Sequence, residues 1–281
     1  MTRELITMKR NRMLAGSLEN LESRQMMAGD VDAFAISRIL YLQGDTLGNG
    51  VALVDGGGGN INVVGLNQAG SATTINNGAS QTFTKIKDIV ITMGKGDDAI
   101  VVSNIFVNGA LFIQSGLGND VVGLGAFEDS GLVDDAVDAL LGALTIKNSV
   151  TISTDVGDDT VIAENATINK MLTLATGLGN DTVRLESHGN PGDVDYVPGV
   201  TVLKSVTIST SLGNDILYLE RLAAKSLDVT LSNGNDSVTL EKVAITKTAN
   251  LNGDTDNDTY TDLGGNTFGK KLIRKNFETI V

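Results

Sequence analysis

Apolar residues recur at four fixed distances from an aspartate that closes a glycine-rich corner. The corner is clearest at Gly116-Leu117-Gly118-Asn119-Asp120. Apolar residues stand nine and seven positions before this aspartate (Leu111, Ile113) and two and four positions after it (Val122, Leu124). Alternating apolar residues on both sides of a glycine-rich turn predict two short strands, each with one buried face.

The corner occurs seven times along the chain. Its closing aspartates are separated by 22, 39, 22, 34, 21 and 22 residues, so the two long gaps contain insertions of 17 and 12 residues (39 − 22 and 34 − 22). A fixed period is typical of a repeat architecture, and every copy has the same strand-corner-strand order. We therefore predict an all-β protein, a right-handed parallel β-helix (solenoid) with coils of about 21–22 residues.

The pattern divides the chain into four segments. Residues 89–262 carry the repeats, and the irregular short strands of residues 31–88 predict an N-terminal cap that shields the first coil. Residues 263–281 predict a C-terminal cap strand whose lysines and arginine blunt the last edge. Residues 1–30 differ in composition from the rest and are interpreted as a sorting or disordered segment.

Two insertions interrupt the repeats after the second strand of a coil. Residues 129–143 predict one short helix packed on the coil, because apolar residues follow Ser130 at helical spacing. Residues 186–199 hold both prolines and the only histidine, His188, which we expect to be exposed in a loop. Because both insertions leave on one side, that side is favoured for any specific partner.

Composition and charge limit the range of functions that the chain can have. The chain has 281 residues, 33 glycines, no cysteine or tryptophan, a formal net charge of −13 and a sequence pI of about 4.4. Nucleic acid is not an expected partner, because phosphate binding needs clustered lysine and arginine. No apolar run approaches the roughly 20 residues of a membrane-spanning helix, so no membrane span is predicted. Disulfides and thiolate metal sites are excluded.

The residues do not assemble a catalytic site. No nucleophile-base pair follows from the spacing, and an acid repeated in every coil is architectural, so we assign no catalytic or cofactor-binding residue and expect a non-enzyme. The alternative is a carbohydrate-active β-helix enzyme, a polysaccharide lyase or hydrolase that uses paired acids beside the insertions. A groove lined by aromatic residues and paired acids on that side would favour the enzyme, and a smooth polar face would favour a module.

Stacked coils bring one carboxylate per coil into a column, which is unfavourable unless something neutralises the charges. Calcium fits such a site, since it takes 6–8 oxygens from carboxylates and carbonyls in flexible geometry. We therefore predict calcium as the cofactor. The alternative is that each aspartate caps its own turn through nearby N–H groups, while residues such as Asn119 form an amide ladder. The predicted metal ligands are Asp98, Asp120, Asp159, Asp181, Asp215, Asp236 and Asp258.

The corner resembles a known calcium motif. The segment Gly177-Leu178-Gly179-Asn180-Asp181-Thr182-Val183 is similar to the RTX (hemolysin-type) calcium-binding nonapeptide Gly-Gly-x-Gly-x-Asp-x-hydrophobic-x. The resemblance implies a β-helix stabilised by calcium. The period here is about 22 rather than nine, and the first glycine is replaced in most copies, for example by Thr176.

A second resemblance lies near the N-terminus. The segment Leu21-Glu22-Ser23-Arg24-Gln25-Met26-Met27 resembles the Leu-Glu-Pro-Arg-x-Leu-Leu segment of planctomycete surface and secreted proteins, with Ser23 in the place of proline. It implies export to an extracellular or cell-surface location. An amphipathic helix or a disordered tail explains the same residues equally well. Together the two resemblances imply a structural or adhesive module whose partner is a polysaccharide or another cell-surface component.

Overall fold

The computed structural model describes residues 29–68, 71–125, 141–188, 191 and 197–281. Within these residues the protein is all-β, with 29 strands and no helix. The strands form two mixed sheets of 16 and 11 mostly parallel strands and a separate pair. This architecture confirms the all-β prediction and is consistent with a solenoid.

Two predictions fall wholly or mainly outside the described residues. The N-terminal sorting segment is one of them, apart from its last two residues. The helix predicted over residues 129–143 is the other, and its only described residues, 141–143, have no regular structure.

The strands follow one another along the chain with short connections. The opening segment contains β1 (Asp30–Ile36), β2 (Ile39–Gln43), β3 (Gly50–Asp55), β4 (Ile61–Gly65), β5 (Asn67–Gln68), β6 (Ser71–Ala72), β7 (Thr74–Ile75) and β8 (Ser80–Phe83). The repeats contain β9 (Asp88–Lys95), β10 (Ala99–Val102), β11 (Phe106–Val107), β12 (Leu111–Leu117), β13 (Val121–Gly125), β14 (Leu144–Ile146), β15 (Val150–Ser153), β16 (Thr160–Glu164), β17 (Ala166–Ile168), β18 (Leu172–Ala175), β19 (Thr182–Leu185), β20 (Thr201–Ser209), β21 (Ile216–Glu220), β22 (Ala223–Thr230), β23 (Ser237–Glu241), β24 (Ala244–Ile245), β25 (Ala249–Asn252) and β26 (Thr259–Gly264). The closing segment contains β27 (Thr267–Phe268), β28 (Ile273–Lys275) and β29 (Thr279–Ile280).

The strands before and after each corner stack in register on their equivalents in the next repeat. Leu111 pairs with Ile89 on one side and Val150 on the other, and Val122 pairs with Ile100 and Val161. We call the first stack the approach ladder (β2, β9, β12, β15, β18, the ends of β20 and β22, β25 and β28). We call the second stack the exit ladder (β3, β10, β13, β16, β19, β21, β23, β26 and β29).

A third ladder, which the sequence analysis did not predict, lies between the exit strand of one repeat and the approach strand of the next. It comprises β11, β14, β17, the starts of β20 and β22, β24 and β27. Because β20 and β22 run through both the third and the approach ladders, the two ladders merge into the 16-stranded sheet.

The core is the column of inward side chains that these ladders enclose. Every apolar position predicted nine and seven residues before the corner aspartate, and two and four residues after it, is buried. The last repeat has Asp262, rather than an apolar residue, four positions after its corner aspartate, and Asp262 is exposed. The third ladder adds inward residues such as Ile146, Ile168 and Val202.

A one-residue irregularity explains the shorter separation between the corners at Asp215 and Asp236. The pairing passes from Val202↔Ala224 to Ser205↔Ser226, so β20 has one more residue than β22 over the same stretch. The extra residue is a bulge, which leaves the inward positions on either side in register.

Both insertions leave the stack after an exit strand. Strand β13 ends at Gly125 and the third ladder resumes at Leu144, and β19 ends at Leu185 before β20 begins at Thr201. His188 is half-buried rather than exposed, because its backbone pairs with Val197 at the base of the second insertion.

The two ends of the stack are closed differently. At the N-terminal end the side chain of Asn76 accepts from Ala33 N (2.9 Å) and donates to Ala33 O (2.7 Å), which covers the outer edge of β1. At the C-terminal end Phe277 packs edge-on against the buried ring of Tyr260, and Arg274 lies 4.5 Å from its centroid. A search of the described residues finds no helix long and apolar enough to cross a membrane.

Candidate cation-binding corner

Six of the seven corners turn sharply because a glycine, two residues before the aspartate, takes a backbone conformation that side chains rarely adopt; in the last corner Asp256 takes it, with φ +84°. Gly118, Gly157 and Gly179 have φ between +135° and +149°. A Cβ on Gly179 would also lie 1.9 Å from the carbonyl oxygen of Gly157 in the preceding repeat. Glycine is therefore required twice, once for φ and once for the close stacking of successive corners.

The aspartates stack as a ladder of side chain-to-backbone hydrogen bonds. The Oδ1 of each accepts the backbone N–H of the aspartate one repeat earlier, at 2.8 Å from Asp215 N to Asp236 Oδ1 and at 2.9 Å from Asp236 N to Asp258 Oδ1. The same bond joins all consecutive pairs from Asp98 onward. The aspartate therefore does not cap its own turn, as the alternative proposed, but binds the neighbouring repeat.

The residue before each aspartate forms a second ladder that runs in the opposite direction. Asn180 Oδ1 accepts the N–H of Asn214 in the following repeat at 2.9 Å, and Asn214 Oδ1 accepts that of Asn235 at 2.8 Å. These residues are exposed. The amide ladder of the alternative interpretation is present, with Asp97 and Asp158 taking part through their carboxylates.

Two residues that the sequence analysis missed terminate the aspartate ladder. Asn49 donates its N–H to Asp98 Oδ1 (2.6 Å), and Glu278 Oε2 accepts the N–H of Asp258 (2.8 Å). The segment from Gly44 to Asn49 is thus a further corner with asparagine at its end. The sequence predicts a corner of irregular length over Gly44 to Gly50, and the asparagine after its glycine is the signal that could have placed Asn49 at the end of the ladder.

The second carboxylate oxygen of every column member is buried without a hydrogen-bond partner. This holds for Oδ2 of all seven predicted metal ligands, whose exposed fractions are 0–1%. In four repeats a buried hydroxyl stands five residues before the aspartate (Ser115, Thr154, Thr176 and Thr210). Thr154 and Thr210 donate to carbonyls of the next repeat instead, at 2.8 Å and 2.7 Å. Oγ1 of Thr176 makes no hydrogen bond of good geometry, but it lies near enough to the Asp181 carboxylate to lower the pKa of that group in part.

Burial disfavours the ionised form of these carboxylates. It raises the pKa of Asp98, Asp159 and Asp236 to about 7 and that of Asp120 to about 6. The pKa values of Asp181, Asp215 and Asp258 are raised for the same reason. Hydrogen bonds from neighbouring groups offset only part of this effect, so each ionised carboxylate calls for a counter-charge.

The donor set suits a hard cation in part. Each Oδ2 is an uncommitted carboxylate oxygen with a hydroxyl nearby in four repeats, and such oxygens are the ligands calcium prefers. Among the described residues, however, no group of three or more histidine, aspartate or glutamate side chains stands close enough to hold a metal. A cation here would depend on one or two carboxylates, with hydroxyls, backbone carbonyls and water as the remaining ligands.

A charged surface lies on the exit ladder where the insertions leave. Glu186 pairs with Arg184 at 2.8 Å, and Tyr218 donates to Glu241 at 3.1 Å. Glu220 pairs with Arg221, and Glu241 also with Lys242. The hydrogen bond from Lys242 is the main cause of the lowered pKa of Glu241. Three glutamates and one tyrosine are thus present on this face, but each makes a salt bridge or a hydrogen bond with a neighbouring side chain.

Fold and corner together define a class: an all-β repeat protein whose parallel strands are joined at their turns by a buried carboxylate ladder and an exposed amide ladder. Comparisons with protein-family models, curated proteins and solved structures find no match to this chain.

Proposed function

We propose that this chain is an extracellular or cell-surface structural or adhesive protein, a right-handed parallel β-helix with coils of about 21–22 residues that calcium stabilises. One observation carries the calcium proposal. Seven buried carboxylates present an oxygen without a hydrogen-bond partner, all at the same position of successive corners. An ionised carboxylate buried without a partner destabilises the folded state strongly. A bound cation would compensate this charge and stabilise the folded state at each corner.

Calcium is favoured over magnesium for a physical reason. Magnesium demands near-ideal octahedral geometry and gives up water reluctantly, whereas calcium accepts irregular sets of carboxylate and carbonyl oxygens. A site built from adjacent levels of the stack is irregular, since its ligands are spaced by the strand separation. The pair Asp215 and Asp236 has no insertion between its coils and is the site we expect to be strongest.

The test compares melting temperatures in chelator, in millimolar calcium and in millimolar magnesium. Calcium binding to the folded state alone adds about 2.7 kcal/mol per site at a hundredfold excess over Kd. We expect calcium to raise the melting temperature of the natural chain more than magnesium does. Asp236→Asn should still fold, because the amide oxygen can accept the N–H of Asp215, but should gain less from calcium.

Asp228→Asn is the matched control, since it removes the same charge at an exposed position between the two corners. It should respond to calcium as the natural chain does. If calcium leaves the natural chain at the melting temperature found in chelator, the column is a structural ladder only and the calcium proposal is wrong.

The location and partner are proposals on separate grounds. The N-terminal segment resembles that of exported planctomycete proteins, and a solenoid of this charge suits a polar exterior where calcium is plentiful. The partner we propose is a polysaccharide or another cell-surface component. Fractionation of cells producing the full chain or a chain without residues 1–30 tests the location, because only the full chain should reach the exterior.

A second candidate, a carbohydrate-active enzyme, has one specific observation in its favour. Burial raises the pKa of the Tyr218 phenol to about 12, and the nearby carboxylates of Glu220, Glu241 and Glu186 contribute to this increase. Glu241 is poorly suited to act as a general acid there, because the hydrogen bond from Lys242 lowers the pKa of its carboxyl and so favours the ionised form. Release of reducing ends from polysaccharides that Glu186→Gln and Glu220→Gln abolish would establish this function, and release that survives both changes would exclude this face.

A further inference from the structure

The 11-stranded sheet, which consists of the exit ladder together with β4 and β8, ends in a strand with an open outer edge at each end of the stack. Within the described residues β8 pairs only with β4, and β29 pairs only with β26. In β29 the N–H groups of Thr279 and Val281 donate to β26 and its flank, at 3.0 Å and 2.9 Å. In a parallel pair alternate residues bond to one side, so the N–H and C=O of Ile280 face outward.

The same reasoning defines the outer edge of β8. Gly65 donates its N–H to Ala79 at 3.0 Å, and the antiparallel register pairs Val63 with Gln81. Alternate residues of an antiparallel strand bond to one neighbour, so the backbone groups of Ser80 and Thr82 point away from β4. Both ends of the 11-stranded sheet therefore present backbone donors and acceptors to which a further strand can bind.

These two edges lack the protection found at two edges of the other large sheet. At the C-terminal end of that sheet β28 contains Arg274 and Lys275, and at its N-terminal end the outer edge of β1 is covered first by the two-residue strand β7 and then by the side chain of Asn76. Charged residues and side-chain caps are the usual means of blocking edge-to-edge pairing. Strands β8 and β29 contain no charged residue, and Ile280 is 59% exposed.

Strand direction allows the two open edges to meet. Strand β8 is antiparallel to β4, and β4 is antiparallel to β3, so β8 runs in the same direction as β3. Every further pair from β3 to β29 is parallel. Strand β29 of one copy and β8 of another can thus pair in parallel and continue the sheet without a change of direction.

Charge bears on the polarity of such a contact. Residues 263–281 carry four basic side chains and one acidic one, in a chain whose net charge is −13. Residues 1–88 carry eight acidic and eight basic side chains, and the described residues 29–88 carry five acidic and three basic ones. Two C-terminal ends therefore repel each other, whereas a C-terminal end meets no like net charge at an N-terminal end, which favours head-to-tail over tail-to-tail association.

We infer that the occupant of each open edge is a second copy of this chain, joined head to tail by parallel pairing of β29 with β8. A head-to-tail contact uses two different surfaces of the molecule, so it does not close on itself as a two-fold dimer does. It generates an open filament along the solenoid axis. Main-chain hydrogen bonds supply the affinity of such an added strand. Its polarity follows from the strand directions and from the repulsion between two basic C-terminal ends.

The test blocks one end at a time in the full chain. Thr82→Pro removes an outward N–H at the β8 edge, and Ile280→Pro removes the outward N–H of β29, so neither change touches an inner ladder bond. The controls Thr82→Val and Ile280→Val keep these N–H groups. Mass measured by light scattering at constant calcium should rise with concentration for the natural chain and both controls, and stay at the monomer value for each proline variant.

The decisive sample is an equal mixture of the two proline variants. Each retains one open end, of opposite kind, so the mixture should reach twice the monomer mass and no more. A natural chain that stays monomeric at every concentration, or proline variants that assemble as the natural chain does, would overturn the inference. Circular dichroism checks that the variants fold. If Ile280→Pro does not fold, Ile280→Lys replaces it, because a lysine on an edge strand blocks pairing without altering the inner bonds.

Discussion

At the scale of single residues, the corner is constrained from two directions, by its own turn and by the repeat before it. The glycine must adopt positive φ and also leave room for the preceding glycine's carbonyl oxygen. The aspartate must turn inward and accept an N–H from the preceding repeat. The residue between them faces outward and accepts from the following repeat. Each side chain type follows from a contact with a neighbouring repeat.

Gly179→Ala tests the stacking constraint separately from the backbone conformation. The new Cβ would meet the carbonyl oxygen of Gly157 at 1.9 Å, at a φ of +135°. Gly264→Ala is the matched control, because its φ is +92° and nothing lies within 4 Å of the Cβ position. We expect Gly264→Ala to lower the free energy of unfolding by about 1 kcal/mol through backbone strain, and Gly179→Ala by about 1–3 kcal/mol more.

Urea denaturation measures both free energies. Equal losses for the two variants would mean that the close approach of successive corners is relaxed easily, and that only the φ requirement keeps glycine at this position.

At the scale of elements, the strands are short and stable only as members of a ladder. Strand β18 has four residues, and two of them, Leu172 and Leu174, are inward and buried. Each pairs with an equivalent apolar residue on both sides, such as Ile152 and Ile208 beside Leu174. The core is therefore a thin column, in which a defect at one level is shared by its neighbours.

Leu174→Asp should unfold the protein, because it buries a charge without a partner in this column. Thr173→Asp changes the adjacent residue of the same strand, which faces outward, and should leave the protein folded. Circular dichroism and solubility distinguish the two. A soluble and fully folded Leu174→Asp protein would contradict the inward assignment and with it the solenoid interpretation.

At the scale of the whole molecule, the seven corner carboxylates act together on stability. Burial raises their pKa in the folded state, to about 7 for Asp98, Asp159 and Asp236, above the usual value near 4 of an unfolded chain. A raised folded-state pKa means that the folded state binds protons more tightly than the unfolded state. This tighter proton binding stabilises the folded state fully below about pH 4, and the stabilisation is lost as the pH rises toward 7.

In chelator, the melting temperature should therefore fall between pH 5 and pH 8 as the column ionises. Calcium should restore it most at the upper end of this range, because cation and proton compete for the same oxygens. Thermal denaturation in buffers across this range, with and without calcium, measures both effects. A melting temperature in chelator that rises from pH 5 to pH 8 would show that the carboxylates are stabilised as anions by groups of the protein itself.

Much of this architecture follows from the sequence because the period of side-chain direction in a strand is two. Leu111, Ile113, Val122 and Leu124 identify inward positions without any knowledge of the fold, and the distances between aspartates define the repeat. The third ladder could also have been found. Val107, Ile146 and Ile168 all stand 13 residues before a corner aspartate and are buried. Its strands are only two or three residues long there, which gives too weak an alternation to be recognised locally.

By itself the sequence determined which residues point inward, where each turn falls and that one aspartate per repeat shares a common position. These are properties of a single coil, and local spacing is enough to specify them. Only the tertiary structure decided what those aspartates contact. Whether Asp215 caps its own turn or accepts a bond from Asp181, and whether Asn49 and Glu278 end the ladder, depends on which residues of different coils lie at one level. The same holds for the buried Oδ2 atoms and the open edges of β8 and β29, because burial and edge pairing arise only when the coils are stacked.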